Sequence, residues 1–292
     1  MSAPVSESVV VNDAPAARPT RGRWLAEVLR TERLTPHMVR VVFGGAGLAE
    51  FAVGDSTDSY VKLHFAPQDA PYGVPYDADE VKRDLAPEWW PVMRTYTVRS
   101  WNAETGELAI DFVVHGDEGV AAPWALNAVA GDLIYLAGPG GAYAPKPTAD
   151  WHLLVGDDSA LPAIAAALES LAAGSRALAV IEVSSPADEQ QIASAADVRI
   201  IWLHRDNPAG TPDIAATVQE LEFLAGQVHA FVHGDAGFVR ELRRYLRVEK
   251  SVPREFLSIS GYWKRGLAED GWRTAKQSWA QPVDDAEAQL DQ

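Results

Sequence analysis

Near Pro145-Lys-Pro-Thr-Ala-Asp150 the apolar residues of this chain change their period, and that change decides what it can fold into. Before the proline-rich stretch, short runs alternate apolar and polar residues or are apolar throughout. They are Arg23–Arg30, His37–Phe43, Ser59–Phe65, Arg94–Arg99, Glu107–His115 and Gly131–Gly141. Each has strand length, and turn-forming residues separate them. Six or so short strands with turns between them predict an antiparallel barrel. In Ser59–Phe65 the core face is Val61, Leu63 and Phe65, which turns Lys62 outward with Tyr60 and His64. Residues 66–91 read as a long loop, and Val120–Asn127 as a short helix with Pro123 near its first turn.

Beyond the boundary the pattern is strand then helix. Trp151–Gly156, Ala177–Val183, Val198–Leu203 and His229–Gly234 have the continuous apolar character of buried strands. Helices are expected at Ala163–Ala173 and at about 187–195, 213–226 and 236–247, with a last strand in Glu255–Gly266. This alternation predicts a doubly wound α/β unit with a parallel sheet, whose ligands sit at the carboxyl ends of the strands. The turns Gly156–Pro162 and His233–Gly237 are then the places for a nucleotide, although the first lacks GxGxxG. The expected division is a disordered tail over 1–20, a barrel over 21–147, an α/β domain over 148–266 and a polar tail over 267–292.

Within the barrel half, Arg94-Thr95-Tyr96-Thr97-Val98-Arg99 carries the groups a flavin nucleotide needs. A tyrosine ring can stack and hydrogen-bond, and a guanidinium binds a pyrophosphate bidentately. Strand alternation puts Arg94, Tyr96 and Val98 on one face and Thr95, Thr97 and Arg99 on the other. The same six residues also make an ordinary strand, since Tyr, Thr and Val favour that state. Small residues at the start of the Val120–Asn127 helix leave backbone N–H groups open to a phosphate.

Composition narrows the partners. The chain has 41 acidic and 25 basic residues, a net charge of -16, which argues against general nucleic-acid or anionic-membrane binding. An anionic ligand must then bind at a local basic cluster, and Tyr262-Trp-Lys-Arg265 supplies one. With no cysteine, disulfides, iron–sulfur clusters and thiolate metal sites are excluded, and no metal-ligand cluster stands out. The N-terminus lacks a signal-peptide pattern and no apolar run reaches membrane-spanning length, so a cytoplasmic protein is expected.

Four stretches, in order and spacing, resemble those of the siderophore-interacting proteins, flavin-dependent ferric-siderophore reductases of the ferredoxin–NADP reductase superfamily. They are Arg94-Thr-Tyr-Thr-Val-Arg99, then Asp111-Phe-Val-Val-His-Gly116 with Ala121-Ala-Pro-Trp-Ala125, Gly156-Asp-Asp-Ser-Ala-Leu-Pro-Ala163, and Gly261-Tyr-Trp-Lys-Arg-Gly266. The resemblance covers roughly residues 21 to 272. It implies a flavin-binding β-barrel followed by a nicotinamide-binding α/β domain, with FAD as cofactor and NADH, NADPH or ferredoxin as electron donor.

Residue by residue, the resemblance implies that Arg94, Tyr96 and Thr97 hold the flavin, with Thr95 and Arg99 beside them. Asp111 and His115 would serve the adenylate and pyrophosphate side, and Ala121, Ala122 and Trp124 the pyrophosphate turn. Asp158 and Ser159 would approach the flavin's reactive edge, while Lys62, Lys264 and Arg265 would attract an anionic ferric siderophore. Lys264 stands where the family usually has arginine, keeping the charge and losing the planar fork. His233-Gly-Asp235 stands where a small residue, Gly and Glu are commoner. A monomer is expected. A flavin reductase or ferredoxin–NADP reductase with another acceptor, and a siderophore-binding module without reductase activity, are the rival readings.

Overall fold

The computed structural model describes residues 22–114, 119–207, 210, 213–267 and 271–272. The alternating half forms seven strands: β1 (Gly22–Thr35), β2 (Met38–Gly44), β3 (Tyr60–Phe65), β4 (Val92–Thr97), β5 (Ser100–Asn102), β6 (Glu107–Val113) and β7 (Leu133–Gly140). They lie in one sheet of order β4-β3-β7-β1-β2-β6-β5, every neighbouring pair antiparallel. Most of the strands carry an apolar face, and the sheet curls to close that face on itself. Tyr96 of β4 meets Phe112 of β6 with ring centroids 4.4 Å apart, although the two strands are far apart in the sheet order. The result is the barrel-like body that alternation predicts. Val61, Leu63, Leu108, Ile110, Phe112 and Leu136 fill it, and each such fully buried side chain contributes roughly 1.5–3 kcal/mol.

Two helices belong to this half. α1 (Ala78–Asp84) lies within residues 66–91, where a loop is expected; the Asp77 carboxylate caps it by accepting from the Asp79 and Glu80 amides. α2 (Ala121–Asn127) closes the curled sheet, its Trp124 ring parallel to Phe43 at 6.2 Å and against Phe65 and Phe112.

The second half contains β8 (Trp151–Asp157), α3 (Leu161–Ser170), β9 (Arg176–Val183), β10 (Asp197–His204), α4 (Ile214–Glu220), β11 (Val228–Asp235), α5 (Ala236–Arg244) and β12 (Leu257–Trp263). Its sheet has the order β10-β9-β8-β11-β12, all parallel, as strand–helix alternation requires. The chain order reverses between β8 and β11, so the crevice for a ligand opens at the carboxyl ends of those two strands. The helix expected at about 187–195 is only a single 3₁₀ turn, Pro186–Asp188. Asp188 there accepts from the Ser185 amide and hydroxyl and from His37 in the β1–β2 turn, an alternative to continuing a helix.

The two sheets are fastened together. Met38 and Tyr143 of the first half lie in the apolar cluster of the second, with Leu154, Ile164 and Phe231. Asp58 holds the connecting segment by accepting the Ala142 and Tyr143 amides, both at 2.8 Å.

Candidate active site

β4 is the edge strand of its sheet, and among the described residues no strand pairs with its other side. It therefore presents backbone groups together with the Arg94, Thr95, Tyr96 and Thr97 side chains. Arg94 and Tyr96 are half-buried, Thr95 is exposed and Thr97 is buried. The strand ends at Thr97, earlier than the alternation of Arg94–Arg99 suggests, because the backbone there changes partner. The Val98 amide still donates to Ser59 beside β3, while the Arg99 amide donates to Ala109 of β6. Val98 is consequently buried directly after Thr97, and Arg99 does not continue the Thr95–Thr97 face.

Tyr96, Phe112 and Trp124 form a continuous run of rings, which links β4 through β6 to α2. Val120 provides no side-chain cap there, and the Ala121 and Ala122 amides stand in the uncapped first turn. Trp124 is different. Its amide donates to the Val120 carbonyl, and its half-buried ring packs against the barrel core.

Asp111 and Arg99 both make ion pairs within the protein. The Asp111 side chain is 1% exposed and both its oxygens accept from Arg40, at 2.6 and 2.9 Å. Arg99 lies 3.9 Å from the same carboxylate and forks onto Glu169 of α3, at 2.5 and 2.8 Å. Of these pairs, Arg40–Asp111 lies within the barrel, and the bidentate Arg99–Glu169 pair joins the barrel to the α/β half. His115 lies outside the described residues.

At the carboxyl ends of the parallel strands, the Gly156–Pro162 turn holds two aspartates in opposite circumstances. Asp158 is clamped by Arg205, which also reaches Glu182 at 3.1 Å and the Ser184 hydroxyl at 3.0 Å. Asp157 is buried, and among the described residues no cation pairs with it. Burial, and then the charge of Asp158, raise its pKa to about 6. Ser159 turns inward and donates its amide, at 3.0 Å, and its hydroxyl to Asp157. Neither side chain expected at the reactive edge is thus independent; both are held by neighbours the sequence reading did not single out.

Alongside, His233 stacks on Phe231 at 3.8 Å, meets the Ser258 hydroxyl at 2.9 Å and takes the edge of Tyr262 at 5.0 Å. Tyr262 is half-buried, and its hydroxyl pKa is raised by desolvation and then by Asp58, Asp157 and Tyr60. On β3, Tyr60 opens the face shared with Lys62. Lys62, Lys264 and Arg265 are all exposed. Among the described residues no group of three or more His, Asp or Glu could hold a metal ion, and no helix is long and apolar enough to cross a membrane.

The donor set fits a flavin nucleotide. An edge strand with a cation, a phenol ring and hydroxyls suits a planar ring system, and an uncapped helix start in the same barrel suits a pyrophosphate. A curled antiparallel sheet followed by a parallel sheet with this strand order is the ferredoxin reductase-like arrangement of FAD- and NAD-binding proteins.

Within that class, residues 27–143 match the model of the siderophore-interacting FAD-binding domain, and residues 149–266 that of the siderophore-interacting protein. The chain belongs to the siderophore-interacting protein family. A relative from Mycobacterium tuberculosis is 45% identical, covering 90% of this chain and 96% of its own length. The ferric vibriobactin reductase ViuB of Vibrio cholerae is 34% identical, covering 85% and 92%. The crystal structure of a siderophore utilization protein from T. fusca superposes with a TM-score of 0.74 at 35% identity, covering 85% of this chain and 95% of that one.

Proposed function

We propose that the protein is an FAD-dependent NAD(P)H:ferric-siderophore oxidoreductase, which reduces the iron of a ferric siderophore and so releases Fe(II) for assimilation. The observation that carries this reading is the pairing of a flavin-type barrel with a nicotinamide-type sheet whose last strand ends in Lys264-Arg265, in a chain of net charge -16. Oxygen ligands such as catecholates and hydroxamates favour Fe(III), and adding one electron weakens the complex. Bound FAD supplies the exchange between a two-electron hydride donor and a one-electron metal acceptor.

In this reading the chain's own residues bind and orient. Arg94 neutralises phosphate charge, Tyr96 lies against the flavin ring, and Thr95 and Thr97 offer hydroxyls. The Ala121 and Ala122 amides meet the pyrophosphate. The Asp158–Ser159 turn, kept in shape by Arg205 and Asp157, receives the nicotinamide at the strand-order reversal. Lys62, Lys264 and Arg265 draw the anionic chelate against the protein's own repulsive field. The reaction belongs in the cytoplasm, with a monomer sufficient for the site; reduced ferredoxin is the alternative donor.

The test is spectroscopic. The purified protein should be yellow, should bleach anaerobically on NADH or NADPH, and should regain its colour on adding a ferric siderophore while an Fe(II) chelator reports stoichiometric iron. Reduced protein that is not reoxidised by ferric siderophore faster than free reduced flavin would show the assignment to be wrong. Bleaching by reduced ferredoxin alone would transfer the donor role.

A further inference from the structure

Four hydrogen bonds converge on the Asp157 carboxylate from three separate chain segments. Oδ2 accepts from the Trp263 indole and from the Asp235 amide, both at 2.8 Å, and Oδ1 accepts from the Ser159 amide and hydroxyl. With a pKa near 6 the group is ionised at neutral pH, so both oxygens are acceptors. The backbone is cut back to admit it. Gly234 has φ 135°, and a Cβ there would lie 2.5 Å from Asp157 Oδ2.

Asp235 continues the network. Its Oδ1 accepts the Gly237 amide at the start of α5, and its Oδ2 accepts the Arg265 amide at 2.9 Å. The segment bearing Lys264 and Arg265 therefore hangs from two acceptors, its first residue by an indole and its last by a backbone amide. A basic pair on an untethered turn would lose ordering entropy each time an anion bound, and a turn fixed beforehand avoids that cost.

We propose that Asp157 is a positioning residue for the anionic substrate: through Trp263 and Asp235 it fixes the turn that presents Lys264 and Arg265, and through Ser159 it joins that turn to the nicotinamide side. The inference rests on the substrate-site reading above. Two near-isosteric variants test it. Asp157→Asn sets an amide N–H₂ against the protons of Trp263 and Asp235, or, flipped, against the amide proton of Ser159. Trp263→Phe keeps the ring bulk and removes one donor.

In the oxidised holoprotein, each variant should weaken binding of a ferric tris-catecholate about five- to tenfold, the size of one ordinary hydrogen bond lost. The double variant should be little worse than the weaker-binding single, because both act on one contact. Binding of a neutral ferric trihydroxamate and flavin absorbance should hardly change, and amide hydrogen exchange at Asp235 and Arg265 should accelerate in Asp157→Asn. A Lys264→Glu/Arg265→Glu variant measured alongside separates the two ideas. If it loses affinity while Asp157→Asn and Trp263→Phe bind like the wild type, the positioning inference is overturned and the site reading stands. If it binds normally, the site reading falls and the inference with it. Equal losses for neutral and anionic chelates would also overturn the inference. Should Asp157→Asn lose its flavin, Trp263→Phe decides alone by the same comparison.

Discussion

At the scale of single residues, two side chains make separable claims. Arg94 is half-buried on the edge strand, and its guanidinium is the cation nearest to Tyr96 in sequence. Arg94→Ala should leave far-ultraviolet circular dichroism unchanged while flavin occupancy falls severalfold, read as the ratio of 450 nm to 280 nm absorbance. Full occupancy would remove Arg94 from the flavin site. His229 tests acid stability instead. Burial, then His152 and Lys146, lower its pKa to about 4, and its Nδ1 accepts the Lys146 amide at 3.1 Å. Between pH 6.5 and 4 the unfolded chain therefore takes a proton that the folded one refuses, so this stabilisation is complete above 6.5 and lost as pH falls. Asp157 pulls the other way. Its pKa is raised from 3.8 to about 6, so the folded state takes its proton first and stability gains as pH falls through that window. The comparison of wild type with His229→Gln isolates the histidine: the variant's Tm should decline less steeply between pH 6.5 and 4. Parallel curves would mean that His229 titrates normally.

At the scale of elements, the ends of the parallel strands carry the most consequence. Gly234→Ala combines a φ of 135° with a Cβ pressed onto Asp157 and the Phe238 ring. It should cost roughly 2–4 kcal/mol, seen as a lower denaturant midpoint, and should also loosen the Lys264–Arg265 turn. A substitution without effect on either would show that the β11 end can relax freely. What could be read in the sequence ends at this scale too. Alternation marked the strands of the barrel half, and the switch of period marked the parallel sheet, because both follow from which face is buried. α1 was hidden since Val81 is its only buried residue and a local cap, not an apolar stripe, defines it. A helix over 187–195 was expected wrongly because Asp188 spends its carboxylate on Ser185 and His37. The Arg40 and Glu169 partners of Asp111 and Arg99 were not legible, because nothing local in the sequence reveals what stands opposite them. Asp157 and Trp263 are 106 residues apart, and no local pattern announces a contact of that kind.

At the scale of the whole molecule, charge and connection both matter. With a net charge of -16, long-range repulsion slows the approach of any anionic chelate, and the role proposed for Lys264 and Arg265 is to attract it locally. Added salt screens both, and the short-range attraction is the part that Lys264→Glu/Arg265→Glu removes. The wild-type KM for a ferric tris-catecholate should therefore depend on ionic strength differently from that of the charge-reversed variant, and KM for a neutral ferric trihydroxamate should be nearly flat in both. Identical salt profiles for the two proteins would place anion binding away from this turn. Connection has a different result. Met38 and Tyr143 are spoken of as barrel residues by their place in the chain, yet they pack inside the α/β core, and Arg99 grips Glu169 across the same seam. The two halves are thus not interchangeable cassettes. A hybrid joined at residue 148, with one half from a distant relative, inherits a plug cut for another socket, and unless both sides of the seam are transplanted together it should melt in two steps where the native chain melts in one.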